Sequence, residues 1–441
     1  MRDLVLLSLL PFTLIAMANR PFIALGMWIW TAMFFPNAWV YGIASTIRYN
    51  LLFTGFAVVG YLLSRDKQPV HWGTIGVLVF GFFIWTTLTT MASAGLPEIS
   101  WDYWSRFSKV VLLFAFVVLI VHKKLHIDFF LWCLVLSIGF YAGVEGLKFA
   151  ASGGGHQIAG LPGHILGDRN DLALAFVMML PICVYLLNEY GKTSWIPKAL
   201  LSMTLVAMVL SIVGTQSRGG LIALLALGLY LFAKSNRKLP LMFVIVIALL
   251  LSSMLITDQW RERMDTISNA NEDASFMGRV VAWKLSLILA LQHPMFGGGF
   301  KTLEFFPVWQ SLSQQFQSLP FFYTGDAVPD TAASHAAHSI YFQVLGDHGF
   351  IGLAIYLGIL AVAFRTAGKV VERAHQQNAE PWVISLATML RLSIFAFCLG
   401  GAALSFAYFD VIFAIFGLIV VLDKKIVPAQ VTRPVLLART A

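Results

Sequence analysis

Apolar stretches long enough to cross a hydrocarbon core, which takes roughly 20 helical residues, follow one another along nearly the whole chain with short polar connections between them. The pattern predicts helices over 4–17, 21–35, 50–64, 73–91, 107–121, 129–148, 172–187, 196–213, 219–233 and 239–256. A long interruption, Asp258 to Ala337, separates these from further apolar runs at 339–364, 382–404 and 411–422. The fold class that follows is all-α: a polytopic transmembrane helical bundle of about 12 spanning helices with one long outer loop that contains short helices. Residues 1–257 then form an N-terminal transmembrane bundle, 258–337 the long loop with interfacial helices, 338–422 the C-terminal transmembrane helices, and 423–441 a basic tail.

Composition agrees with the pattern. Of 441 residues 59% are hydrophobic and 12% charged, with a mean hydropathy of +0.78, which leaves too little polar surface to cover a water-soluble globule. The net charge of +8 and pI near 9.4 do not point to nucleic acid, because Lys and Arg are scattered through short loops and gathered on no one face. Cys133, Cys183 and Cys398 each lie inside an apolar run without metal-type spacing, and read as small buried residues with no disulfide framework. The first run follows Arg2 and has the look of a leader, yet Asn19-Arg20-Pro21 is a poor cleavage site and more apolar segments follow at once. It is expected to stay in the mature protein.

Connections carrying Arg65 and Lys67, Lys123 and Lys124, Lys192 and Lys198, Lys234 with Arg237 and Lys238, Arg365 with Lys369 and Arg373, and Lys424 with Lys425 alternate with poorer ones. Basic loops stay on the cytoplasmic side. The 94–104 loop, the 152–170 loop, the turn at 215–218 and the long loop are therefore expected on the opposite face. Thirteen apolar segments with a cytoplasmic carboxyl end would leave Met1 outside. Parity is restored if the first two short segments form one broken or partly re-entrant unit, which is tolerated where protein buries it. No internal repeat is visible, and that counts against a transporter built from inverted halves.

Several polar groups on the outer face are not explained by lipid. Arg218, in Thr-Gln-Ser-Arg-Gly-Gly, could snorkel to the headgroups, or could join the amides of a helix start in an anion seat. Arg279 opens a segment too short to span and ended by Pro294. At 100° per residue Arg279, Ala282, Trp283, Ser286 and Ala290 share one face. Such a stripe suits either a pocket wall or an interfacial anchor. Gly297-Gly-Gly-Phe-Lys301 permits positive φ and close approach of a ligand to backbone, or serves as a plain turn. The aromatic residues of the loop, Phe305, Phe306, Trp309, Phe316, Phe321, Phe322 and Tyr323, suit contact with headgroups more than sugar stacking.

His335 and His338, three apart, would share a helix face, but no third ligand at helical spacing supports a metal site. His338 is better read as a proton acceptor at the rim of a cation-rich cavity. Arg169 and two carboxylates lie in Gly167-Asp-Arg-Asn-Asp171, where Asp171 could be a helix cap. Arg391 lies mid-span, where an arginine costs roughly 2.5–3.5 kcal/mol on insertion scales, so it must face protein or a water-filled cavity. Glu145 and Lys148 are spaced to pair along one helix.

Taken in order, Asp168 to Asp171 followed by Pro181, Ser217-Arg218-Gly219, Arg279 with Trp283, Pro294, Gly297 to Phe300, and His338 to Tyr341 followed by Gly346 and Gly349 resemble the O-antigen ligase and polymerase superfamily. The likeness is greatest to its exosortase-associated O-glycosylation ligase branch. The resemblance implies transfer of a glycan from an undecaprenyl-pyrophosphate donor to lipid A-core oligosaccharide at the periplasmic face of the inner membrane, with no cofactor or metal. On that reading Arg218 and Arg279 bind pyrophosphate and His338 is the catalytic base of an inverting displacement. Arg169, Lys301, Arg391, His335, Asp171 and Trp283 are weaker candidates, and the long loop is periplasmic. A polymerase that extends a lipid-linked glycan, a protein O-oligosaccharyltransferase, or a lipid-linked oligosaccharide transporter would draw on the same donor chemistry.

Overall fold

The computed structural model describes residues 2–65, 67–234, 274–320 and 324–429, and no strand occurs among them. The helices are α1 (Arg2–Asn19), α2 (Pro21–Phe34), a short α3 (Gly42–Thr46), α4 (Tyr49–Leu63), α5 (Gly73–Met91), α6 (Pro97–Ile120), α7 (Lys124–Ala151), α8 (Arg169–Tyr190), α9 (Trp195–Gly214) and α10 (Arg218–Lys234). The long loop contributes α11 (Ala274–Gln292) and α12 (Phe306–Gln314), followed by α13 (Ile340–Gln376), α14 (Pro381–Gly400) and α15 (Asp410–Val421). Eight of these, α1, α5 to α9, α13 and α14, are long and apolar enough to cross a membrane. The helix predicted at 239–256 lies outside the described residues.

Where helix limits differ from the apolar pattern, polar ends account for it. Hydropathy marks the stretch that lipid covers, whereas α6 starts at Pro97, a residue suited to a first helical position, and runs two polar turns before its apolar part. Likewise α13 continues past Phe364 into a polar stretch that ends at Gln376. At the amino end, Arg20 turns α1 into α2, and Asp3 Oδ1 accepts a hydrogen bond from the Tyr41 amide at 2.8 Å. That contact sets the start of α1 beside the chain that leaves α2, so the two run as an antiparallel hairpin.

Burial sorts the helices by depth. Every residue of α15 from Val411 to Val421 is buried, as expected of a helix apolar on all sides at the centre of a bundle. By contrast α1 buries only Met17 and turns Leu4, Leu9, Phe12 and Ile15 outward. Between α7 and α9 the approach is close: a Cβ at Gly139 would meet Thr204 Cγ2 at 2.6 Å, and Ser211 Oγ donates to the Ala142 carbonyl at 2.9 Å. Small residues and interhelical hydrogen bonds hold helices together where lipid removes the hydrophobic drive. Asp128, buried on α7, accepts from Tyr185, Tyr190 and Lys124 at 2.7–2.8 Å, which satisfies the charge.

The long loop has its own core. Val281, Leu285 and Leu289 of α11 pack with Leu303, Trp309, Leu312, Phe316 and Ala337. Trp309 and Phe316 are therefore buried within the loop and do not contact headgroups, contrary to the sequence expectation; each ring gains more from the loop's apolar interior. Phe321, Phe322 and Tyr323 lie outside the described residues. Ala282, Ser286 and Ala290 are fully buried, and Ser286 packs near Gly346 of α13. The small-residue stripe is a helix-packing surface and not a pocket wall.

Candidate functional site

The starts of α8, α10 and α13, the helix α11 and one loop bring charge to one end of the bundle. At α8, Asp168 is the N-cap: its Oδ1 accepts from the Asn170 amide at 2.7 Å, and Arg169 is the first helical residue. Asp171 is thus not the cap, because it lies three positions inside the cap and within the first turn. At α10, Gln216 takes positive φ (53°), and Ser217 Oγ accepts from the Gly220 amide at 3.2 Å, fixing Arg218 at the helix start. Gly220 allows this, since a Cβ there would lie 2.6 Å from Ala173 of α8. The two helix starts are therefore held side by side.

Arg279 enters from α11. Its pKa is depressed, first by burial and then by the charge of Arg218, with a further push from Arg169 and partial relief from Asp168. Those four groups consequently lie within electrostatic reach of one another. Burial and like charge from the neighbouring guanidinium groups thus disfavour the charged form of Arg279, and Asp168 favours it.

His338 closes the far side. It stands just before α13 with φ of 47°, and its amide donates to Ser405 Oγ at 2.7 Å. Its ring is open to solvent while much protein surrounds it. Burial first, then Arg279, lower its pKa below the usual histidine value, with Asp168 and Glu304 opposing. At neutral pH the imidazole is uncharged and able to accept a proton.

Lys301 lies beside this group. Burial opposes its charge, but Glu304, whose Oε1 is 2.5 Å from Nζ, and Tyr103 outweigh that and raise its pKa. Its field also reaches Asp171. His335 pairs within the loop, its Nε2 3.2 Å from Asp330 Oδ2 and its ring against Trp309, and its charge still reaches His338. Among the described residues no three His, Cys, Asp or Glu side chains gather as metal ligands. Trp283 stacks on Phe342 with ring centroids 5.3 Å apart, and its Nε1 is buried without a hydrogen-bond partner. Arg391 stands apart near the middle of α14, with its guanidinium 4.2 Å from the Phe364 ring centroid.

The glycine run packs closely against the chain itself. Gly298 and Gly299 amides donate to the Gly346 and Asp347 carbonyls, both at 2.8 Å, and Gly297 and Gly299 have φ of 65° and 88°. A Cβ at Gly297 would lie 2.5 Å from the Gly349 amide nitrogen. The run therefore clasps the break in α13 at Gly349, where φ is 69° and ψ −171°. Asp347 secures the clasp by accepting from the Lys301 amide (3.1 Å) and Tyr408 hydroxyl (2.9 Å).

Sequence reasoning missed Glu304, Asp347, Tyr408 and Ser405. For Glu304 the signal was its position three residues after Lys301, and for Asp347 a carboxylate inside an apolar run; Ser405 and Tyr408 gave none.

Residues 203–357 match the family model for O-antigen ligase, and residues 1–192 match a family of unknown function. No curated protein matches the chain. Arg218, Arg279, Trp283, Lys301, His335 and His338 fall in the first region, Arg169 and Asp171 in the second, and Arg391 in neither.

Proposed function

We propose, from the match of residues 203–357 to the O-antigen ligase family model, that this multi-pass membrane protein is a glycan transferase of the ligase type. It takes a glycan from undecaprenyl pyrophosphate and joins it to lipid A-core oligosaccharide at the periplasmic face of the inner membrane. The observation that carries the reading is the gathering of Arg169, Arg218 and Arg279 with a neutral His338 beside them.

Breaking the bond between the anomeric carbon and the pyrophosphate oxygen sends the electron pair onto the phosphates. Guanidinium groups placed where that charge grows stabilise the transition state more than the ground state. Arg218 and Arg279 hold the pyrophosphate, with Arg169 adjoining. The acceptor hydroxyl oxygen forms the new bond to the anomeric carbon from the opposite face, and its proton passes to His338. One displacement inverts that carbon. Lys301, tied to Glu304 and to the clasp, serves as a neighbouring charge that keeps the loop in register. No metal is required by this scheme.

The test is product identity. Purified protein in detergent, given an undecaprenyl-pyrophosphate glycan and lipid A-core, is expected to yield glycan on lipid A-core with the anomeric configuration inverted. A ladder on the polyprenyl carrier would make the protein a polymerase, and glycan on a serine or threonine a protein transferase. No product in detergent, with movement of donor across sealed vesicles, would make it a transporter.

A further inference from the structure

The connection between α7 and α8, residues 152–168, holds no helix, yet it is tied down along its length. Where it leaves α7, the buried Glu145 accepts from Lys148 Nζ and from His156 Nε2, both at 2.7 Å. The His156 amide donates to Ser152 Oγ at 2.8 Å, which closes the first turn. Next, the Ile158 amide donates to the Gly214 carbonyl at 3.0 Å, and the Tyr141 hydroxyl donates to the Ala159 carbonyl at 2.5 Å. Ile158 is fully buried, and its Cδ1 would lie 2.7 Å from a Cβ at Gly214. The connection therefore grips the end of α9 just before the turn that leads to Arg218.

Its second half folds back on itself and docks on α2. The His164 amide donates to the Leu161 carbonyl at 3.1 Å, and the Gly167 amide to the His164 carbonyl at 3.0 Å. Gly160 is packed so closely that a Cβ there would lie 1.8 Å from the Leu166 carbonyl oxygen. The His164 imidazole uses both of its nitrogens. Nδ1 accepts from the Leu166 amide at 3.2 Å, so Nε2 carries the hydrogen and donates to the Ala32 carbonyl, 2.7 Å away. The ring stacks on Phe35 with centroids 5.1 Å apart. Burial lowers its pKa, opposed in part by the Ala32 carbonyl, and so favours this uncharged form. The chain then passes directly into Asp168, the cap of α8, and Arg169.

One connection thus holds two helix starts of the arginine cluster, through Gly214 ahead of Arg218 and through Gly167 ahead of Arg169. Guanidinium groups grip a pyrophosphate best when their spacing is set before it arrives, because ordering them on binding costs affinity. We propose that residues 156–167 form a bracket that sets the spacing of Arg169 and Arg218, with Glu145 and His164 as its positioning residues. Ile158 belongs to the region matched by the family of unknown function, and Gly214 to the region matched by the O-antigen ligase model. The bracket gives the first region a part in the site carried by the second. Its effect on donor binding rests on the proposed pyrophosphate seat; its effect on the helix starts does not.

The experiment uses full-length purified protein in detergent and follows amide hydrogen exchange by mass spectrometry in peptides covering 168–175 and 214–223. In Glu145→Ala and in His164→Phe, exchange in both peptides is expected to rise about tenfold, the equivalent of one lost buried hydrogen bond. His164→Gln, which keeps a donor for the Ala32 carbonyl, should stay within about threefold of wild type. Asp128→Asn breaks the buried cluster at the other end of α7; it should lower the melting temperature yet change neither peptide by more than about twofold. On the same preparations, KM for an undecaprenyl-pyrophosphate glycan should rise about fivefold in Glu145→Ala and His164→Phe. Their kcat should stay within about twofold, since His338 is untouched. Unchanged exchange in both peptides of the two variants, or an equal rise in Asp128→Asn, would overturn the bracket. Faster exchange in the variants beside a wild type that binds no pyrophosphate donor would uphold the bracket and overturn only the reading of the arginines as a pyrophosphate seat.

Discussion

At the residue scale, the proposed chemistry rests on charge placement around His338 and the arginines. Arg218 is proposed to grip two phosphate oxygens at once, which a planar guanidinium can do and an ammonium cannot. Arg218→Lys is therefore expected to lower kcat/KM by about tenfold or more, with donor affinity falling in parallel; unchanged turnover in that variant would count against the seat. His338 makes a prediction about pH. Burial and Arg279 hold its pKa below the usual value of about 6.5, and a base works only when unprotonated. Activity should persist as pH falls through 6.5 and decline only below it, on the acid limb of kcat/KM. Removing the opposing charge with Arg279→Gln should move that limb upward, whatever it does to the maximum rate. The arginines and His338 were legible in sequence because they are polar groups at the ends of apolar runs. Arg391 was legible as a lone cation inside an apolar run and yet lies elsewhere, against Phe364, because a mid-span arginine reports a need for partners without saying which partners it meets.

At the scale of elements the glycine clasp does the positioning. It joins the turn after α11 to the break in α13, and so fixes the elements that deliver Arg279, Lys301 and His338. Gly349 lies in a backbone region that only glycine occupies without strain, and a Cβ there would be 2.4 Å from the Met295 carbonyl oxygen. Gly349→Ala should lower the apparent melting temperature of the purified protein markedly. Gly346→Ala, whose added Cβ would meet Ser286 at 3.5 Å, should be tolerated far better; equal melting shifts in the two would refute the clasp. Helix positions were readable from hydropathy, since lipid imposes a length on every span. The clasp was not, because a glycine triplet announces only conformational freedom and its partner is about 50 residues away in the sequence. The loop's core was hidden similarly, as Trp309 and Phe316 carry the same apolar signature whether they face headgroups or each other's neighbours.

For the whole molecule, the positive-inside pattern predicts that the arginine cluster faces away from the cytoplasm. In a variant lacking the native cysteines, Asp326→Cys should react with a membrane-impermeant maleimide added to intact spheroplasts, and Gln376→Cys only after permeabilisation. The reverse pattern would invert the whole account of donor and acceptor. With orientation fixed, the central claim is that the outer site transfers glycan with His338 as its base. It is tested most directly by measuring donor affinity and single-turnover transfer in the same preparations of wild type and His338→Ala. Transfer is expected to fall by about 100-fold or more while donor affinity stays within about threefold, because the phosphate-binding arginines are intact. Transfer near the wild-type rate at pH 7 would contradict the account.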